Sequence, residues 1–264
     1  MNEDIKVVLI GAGRIATHLG KVLLGSGVKI KQVYNRSLGA AKRLGETLEC
    51  QYTDHPSSID LNADLYIVCV SDQAIESIAA QFSFLDQKDK LIVHTSGATP
   101  GKVFEGHFRR YGVFYPLQSF STEQEVDFQA IPICIDANTQ ADVQLLQGLA
   151  TGISPKVYAI NDEDRKLLHV AAVFVNNFSN HLYALMDQWL TAEQIPFELL
   201  QPLIQMTAQK LEKQSPATAQ TGPAIRGDID TIARHLDVLA EKKPELLPLY
   251  KWMTRSINPN LLPE

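Results

Sequence analysis

Ile5-Lys6-Val7-Val8-Leu9-Ile10-Gly11-Ala12-Gly13-Arg14-Ile15-Ala16 is the stretch that decides the fold. Its first six residues form a short apolar run of buried-strand type, and Arg14 to Leu24 carries the pattern of a helix. Gly11, Gly13 and Ala16 fall at the first, third and sixth places of a dinucleotide-binding turn. Gly11 permits the tight turn, and Gly13 lets backbone approach a pyrophosphate with no side chain in the way. Ala16, with Gly20 one turn later, lets the helix lie close on a sheet. The amides at the helix start, those of Arg14 and Ile15, then face the phosphates at the positive end of the helix dipole.

The second half of the signal is Lys29 to Tyr34 followed by Asn35-Arg36-Ser37. A chain that prefers NAD usually ends this strand in a carboxylate, which accepts hydrogen bonds from the ribose hydroxyls. No carboxylate stands here. Arg36 offers a guanidinium and Ser37 a hydroxyl, both suited to a ribose 2′-phosphate. The cofactor expected is NADP(H), with Asn35 in the same turn. The plainer reading of Arg36 is an exposed loop charge, but the motif itself points to this position.

Strands and helices alternate from residue 5 to about 160. Apolar strand-like runs lie at Leu65 to Val70, Lys90 to His94, Tyr111 to Tyr115, Ile131 to Ile135 and Lys156 to Ile160. This rhythm predicts an α/β, doubly wound, mostly parallel Rossmann sheet. Beyond Asn161 only helical patterns remain, the first from Asp162 to Leu190, about 40 Å if unbroken. The expected organisation is therefore a dinucleotide-binding domain over 1–160 and an all-α substrate and dimerisation domain over 161–264.

Ligands of open α/β sheets bind outside the carboxyl ends of the strands. Val70-Ser71 should pass the middle of the cofactor, and Thr95 and Ser96, after His94, should approach the nicotinamide. Turn chemistry is the plainer account of Thr95 and Ser96, and a backbone-bonded strand end that of His94. On a wheel of 100° steps, Asp162, Arg165, His169, Asn176, Asn180 and Asp187 form one polar stripe on an otherwise apolar helix. Such a helix should be buried, against its own domain and a second subunit. His169 is the expected general acid or base, since imidazole exchanges protons near neutral pH. Asn176 would orient a substrate, and Arg226 would clamp its anionic group. The rival for the stripe is internal hydrogen bonding among helices, and His94 is the alternative proton source.

The 264 residues are 45% hydrophobic and 20% charged, with a net charge of −6 and one short basic cluster at 107–110. That balance fills a core and argues against nucleic acid as a partner. The acidic N-terminus, the lack of a long apolar span and three scattered cysteines predict a cytoplasmic, metal-free protein with no membrane association.

The segments 11–16, 35–37, 94–100, 115–120, 169–178 and 222–228 together resemble Rossmann-like oxidoreductases that join an NADP-binding domain to a helical domain of unassigned function. More distantly the chain is similar to pyrroline-5-carboxylate reductases, deazaflavin-dependent NADP oxidoreductases and 6-phosphogluconate or β-hydroxyacid dehydrogenases. The resemblance implies a homodimer built through the helical domains, an active site between the domains, and hydride transfer to or from a small carbonyl or imine. The dehydrogenases place a Lys four residues before an Asn on the long helix. Here His169 is followed by Val173 and Lys166 by Val170, so that pair does not carry over. Tyr115 stands where the nearer relatives commonly have His before Pro-Leu. Two other readings remain open at this point: an NADP-binding sensor without turnover, and a reductase of a flavin-like carrier.

Overall fold

The structure is a computed structural model and describes residues 5–121 and 126–262. It divides into two compact units, residues 1–174 and 175–264. In the first, eight strands form one sheet in the order β3-β2-β1-β4-β5-β6-β7-β8. They are β1 (Lys6–Ile10), β2 (Lys29–Tyr34), β3 (Gln51–Thr53), β4 (Leu65–Val68), β5 (Leu91–His94), β6 (Arg110–Pro116), β7 (Ile133–Ala137) and β8 (Val157–Ala159). Helices α1 (Arg14–Gly25), α2 (Leu38–Thr47), α3 (Asp72–Gln81) and α4 (Gln140–Thr151) cover its faces.

Alternation along the strands sends neighbouring side chains to opposite faces. Val7 and Leu9 pack with Leu19 and Leu23 of α1 and Leu146 and Leu149 of α4. Val8 and Ile10 pack on the other face with Ile75 and Ala79 of α3 and with Phe104. Strands β1, β4, β5 and β6 are therefore apolar on both sides, as parallel strands between two helical layers must be.

All strand pairs are parallel except β6 with β7. The described residues between β6 and β7 contain no helix, so no crossover brings the chain back and it returns antiparallel. Arg110 on β6 braces α4 across this edge: its Nε donates to Asp142 Oδ1 at 3.2 Å, and Thr139 Oγ1 donates to Asp142 Oδ2 at 2.7 Å. Asp142 is fully buried.

The helical run begins with α5 (Asp162–Ala172), capped by Asn161, whose side chain accepts from the Asp164 N–H. At Val173–Phe178 the hydrogen bonding becomes π-helical, and α-helix resumes as α6 (Ser179–Ala192). A π turn closes on the fifth residue rather than the fourth, so the constant 100° step does not hold across it. The stripe expected from residue 162 to residue 187 is thus continuous only through α5. The compact units part after Phe174, inside this run, rather than at residue 160.

The second unit contains α6, α7 (Gln201–Lys210), α8 (Pro216–Ala219), α9 (Pro223–Arg226), α10 (Ile229–Lys242) and α11 (Leu247–Ile257). Ala224, Ile232 and Leu261 form its small core. Leu182, Met186 and Trp189 of α6 face Leu239, Leu246 and Tyr250 across an apolar cavity of about 400 Å³. The helical run was expected to be buried, yet Leu167 is 70% and Val175 75% exposed in the single chain.

Arg110→Met should destabilise the protein by about 3 kcal/mol, because it leaves the buried Asp142 carboxylate with the Thr139 hydroxyl but without its cation. Urea unfolding of parent and variant measures this, and a loss below about 1 kcal/mol would assign the pair to the weak class of surface bridges.

Candidate active site

Strand order reverses about β1, with β2 on one side and β4 on the other, so the carboxyl ends of β1 and β4 open a crevice. Gly11 sits at its floor with φ +114°, and a Cβ there would stand 2.3 Å from the Cys69 carbonyl oxygen. No side-chain-bearing residue fits. A Cβ on Gly13 would meet nothing within 4 Å, which marks open space above the turn. Helix α1 starts directly after Gly13 with no acidic residue in its first turn, so its free amides and dipole meet no competing carboxylate.

The crevice is a cavity of about 490 Å³. Of the expected cofactor residues, Gly11, Gly13, Asn35, Arg36, Val70 and Ser71 line it. Arg36 is exposed and has no ion pair among the described residues, and Asn35 Nδ2 donates to the Ser37 carbonyl at 3.2 Å, shaping the turn. Ser37 precedes α2 without a side-chain cap bond. Arg14 Nη1 reaches the Phe120 carbonyl at 3.5 Å, and Ile15 packs on the core. A glycine cradle, a free helix start and an unpaired guanidinium fit a phosphorylated dinucleotide.

Beyond β5 the loop of residues 95–100 is docked on one face of α5. Asp162, Arg165 and His169 share that face, three and four residues apart. Gly101 N–H donates to Asp162 Oδ1 at 2.9 Å, and Arg165 Nη2 donates to the Thr99 carbonyl at 2.6 Å and to Asp162 Oδ1 at 2.7 Å. His169 closes the row against Gly97, where a Cβ would stand 2.5 Å from its Nδ1. Tyr115, at the end of β6, meets the same spot, with its hydroxyl 3.3 Å from His169 Nδ1. Burial would raise the Asp162 carboxyl, but the Gly101 amide, the Arg165 guanidinium and the Lys102 amide together hold it below the usual carboxylate range.

Ser96 Oγ accepts from the Ala98 and Thr99 amides at 3.1 and 2.9 Å, and Thr95 Oγ1 points to the Val68 carbonyl at 3.4 Å. Both hydroxyls thus shape the loop, the turn chemistry weighed from sequence. His94 is fully buried, and its Nδ1 accepts from the Ser96 amide at 3.1 Å. Burial first, and then the Arg165 charge, push it down to about 4. It is neutral at physiological pH. His94 Nε2 and Arg165 Nε and Nη1 are buried without a hydrogen-bond partner among the described residues.

Residues 6–97 match the family described as NADP oxidoreductase, coenzyme F420-dependent, and residues 131–257 match a domain of unknown function, DUF2520. A crystal structure from Bacteroides fragilis, provisionally named an NADP oxidoreductase, is 43% identical, covering 98% of this chain and 100% of its own, with a TM-score of 0.88. The chain belongs to this NADP oxidoreductase family. A Thermotoga maritima protein shares the fold at 22% identity, covering 96% of this chain and 97% of its own, TM-score 0.76. So does an imine reductase from Myxococcus stipitatus in complex with NADP+, at 16% identity, 97% and 94% coverage and TM-score 0.68. None of the curated proteins compared matches the chain.

The oxidoreductase fold also brings forward residues that the motif did not name. Tyr34, Ala74, Ser77, Ile78 and Gln81 also line the crevice between β1 and β4. The last four recur at helical spacing on α3, a signal available in the sequence once that helix is set beside β1. Arg165 and Asp162 lie on the polar stripe of the sequence, which assigns them no role. Asn176 and Arg226 are exposed in the second unit, Arg226 ending α9 and Asp228 capping α10 through the Thr231 amide at 3.1 Å.

The His94 geometry carries a pH signature. Its pKa is depressed, so the unfolded chain binds a proton below pH 6.5 that the folded chain refuses until about 4. Stability should therefore fall by about 3 kcal/mol on acidification across that window. His94→Asn keeps an acceptor for the Ser96 amide, and unfolding measured from pH 7 to 4 should have a correspondingly shallower slope.

Proposed function

We propose that this chain is an NADP(H)-dependent enzyme that transfers hydride to or from a small carbonyl or imine carbon near Ser96. The observation that carries this reading is the pairing of a phosphate-ready crevice with a protonatable side chain beside the loop that follows β5. Gly11, Gly13 and the amides of Arg14 and Ile15 would hold the pyrophosphate, with Val70 and Ser71 along the next strand end. Asn35, Arg36 and Ser37 would hold the ribose 2′-phosphate, and Thr95 and Ser96 would border the nicotinamide. When bound, the cofactor supplies the hydride chemistry.

His169 is the proton donor or acceptor in this reading. It is half-buried beside Gly97, whereas His94 is sealed in the core and neutral, which favours His169 over its rival. Asn176 would orient the substrate and Arg226 hold its anionic group. The fold shared with an NADP+-bound imine reductase supports an imine or carbonyl as the reacting group. A second reading, reduction of a flavin-like carrier, draws on the coenzyme named in the family that matches residues 6–97.

The exposed apolar side chains Leu167, Val170 and Val175 support a homodimer formed around residues 161–264. A reducing, cytoplasmic setting suits the three free cysteines. No helix among the described residues is long and apolar enough to cross a membrane.

NADPH should bind more tightly than NADH, and Arg36→Ala should remove about 1.5–3 kcal/mol of that preference, the worth of one charge-assisted contact. Fluorescence titration with both cofactors checks it, and equal affinities in the parent would defeat the NADP assignment. His169→Gln keeps hydrogen-bonding capacity without acid–base function. Turnover of NADPH against a panel of cyclic imines and small ketones should fall ~10²–10⁴-fold in this variant while NADPH binding and Tm hold. Light scattering at micromolar concentration should give a dimer.

A further inference from the structure

Tyr115 and His169 come from distant parts of the chain and meet edge to face, with ring centroids 6.2 Å apart and Tyr115 Oη 3.3 Å from His169 Nδ1. Tyr115 is 8% exposed. Burial, the neighbouring Cys134 and Asp72 push its phenol up to about 12 against the opposing charge of Arg165, so at neutral pH it remains a hydroxyl. A hydroxyl taken out of water needs an acceptor, and His169 Nδ1 is its hydrogen-bond partner among the described residues.

Gly97 closes the arrangement from the loop side. A Cβ there would stand 2.5 Å from His169 Nδ1, 2.6 Å from Tyr115 Cζ and 2.8 Å from Tyr115 Oη. Only a residue with no side chain lets the backbone lie against both rings. The Nδ1 edge of His169 is thus shut between Gly97 and the phenol, and Nε2 is the nitrogen left to exchange a proton. Which nitrogen of a neutral imidazole carries hydrogen is set by the bond made at the other. The Arg165–Thr99 and Asp162–Gly101 contacts hold α5, and with it the His169 backbone, in place one and two turns away.

We propose that Tyr115 is a positioning residue whose hydroxyl donates to His169 Nδ1 and holds His169 in the Nε2–H tautomer; as the proton leaves Nε2 the phenol passes its own to Nδ1, so the imidazole stays neutral and the negative charge rests on the Tyr115 oxygen. This rests on the reading of His169 as the proton donor, which it deepens by naming the side chain that aims it. Tyr115 touches no reacting atom. The phenol stands in the role that a carboxylate or a backbone carbonyl plays for other working histidines, but with the opposite polarity: it gives a hydrogen bond to Nδ1 instead of accepting one.

The test is nitrogen-15 NMR of the His169 ring in the full-length protein saturated with NADP+, with the signals assigned by their loss in His169→Gln. Expected is an unprotonated Nδ1 and a protonated Nε2 in the parent. In Tyr115→Phe, which keeps the ring and loses the donor, the tautomer ratio should move about fivefold toward Nδ1–H, the factor set by one hydrogen bond of about 1 kcal/mol. A protonated Nδ1 in the neutral parent overturns the proposal, and so does an unchanged ratio in Tyr115→Phe. Should Tyr115→Phe fail to fold, the parent spectrum alone still decides. Full turnover in His169→Gln would defeat the proton-donor reading while leaving the tautomer result standing, so the two failures are distinct.

Discussion

The buried guanidinium of Arg165 joins the loop after β5 to the helix that carries His169. A charge withdrawn from water is costly unless its partners are well placed. Here Asp162 and the Thr99 carbonyl supply them, both through Nη2, while Nε and Nη1 lie buried without a partner among the described residues. The pairing is thus no large source of net stability. Its consequence is geometric: loop residues 97, 99 and 101 are matched in turn to helix residues 169, 165 and 162. It also sorts the two histidines. Arg165 adds to the burial that keeps His94 uncharged, and the same helix face sets His169 at the surface of the loop.

At the crevice between β1 and β4 the controlling constraint is close approach. Gly11 lies so near the Cys69 carbonyl that the turn exists only because a side chain is missing, and this brings the start of α1 over the gap between β1 and β4. The crevice then offers free amides, a helix dipole and one exposed cation, Arg36. The α3 side of the crevice is built differently, from the stripe of Ala74, Ser77, Ile78 and Gln81. Such surfaces recognise shape and contact more than charge, which is why no short motif announces them.

The second unit rests on a different balance. Its helices bury a small core, frame an apolar cavity of about 400 Å³ and leave Leu199, Leu203 and Trp252 each at least 60% exposed. Helical periodicity reports that a face is apolar, and says nothing about whether the same chain or another copy covers it. The π turn at Val173–Phe178 adds a second limit, since a wheel drawn at constant angle cannot follow it.

The sequence by itself determined the doubly wound sheet, the glycine turn after β1, the carboxylate-free turn at Asn35 to Ser37 and the change to helices near residue 160. Those features depend on residues close together in the chain: strand periodicity, glycines at short fixed offsets, and the absence of a carboxylate at one strand end. Only the tertiary structure decided that β7 runs antiparallel, that Arg165 is buried, that His94 is neutral in the core, and that Tyr115 and Gly97 enclose His169 Nδ1. Each of these joins residues tens of positions apart. Burial sets the protonation of His94 and Tyr115, and burial is a property of the packed chain that no local pattern encodes.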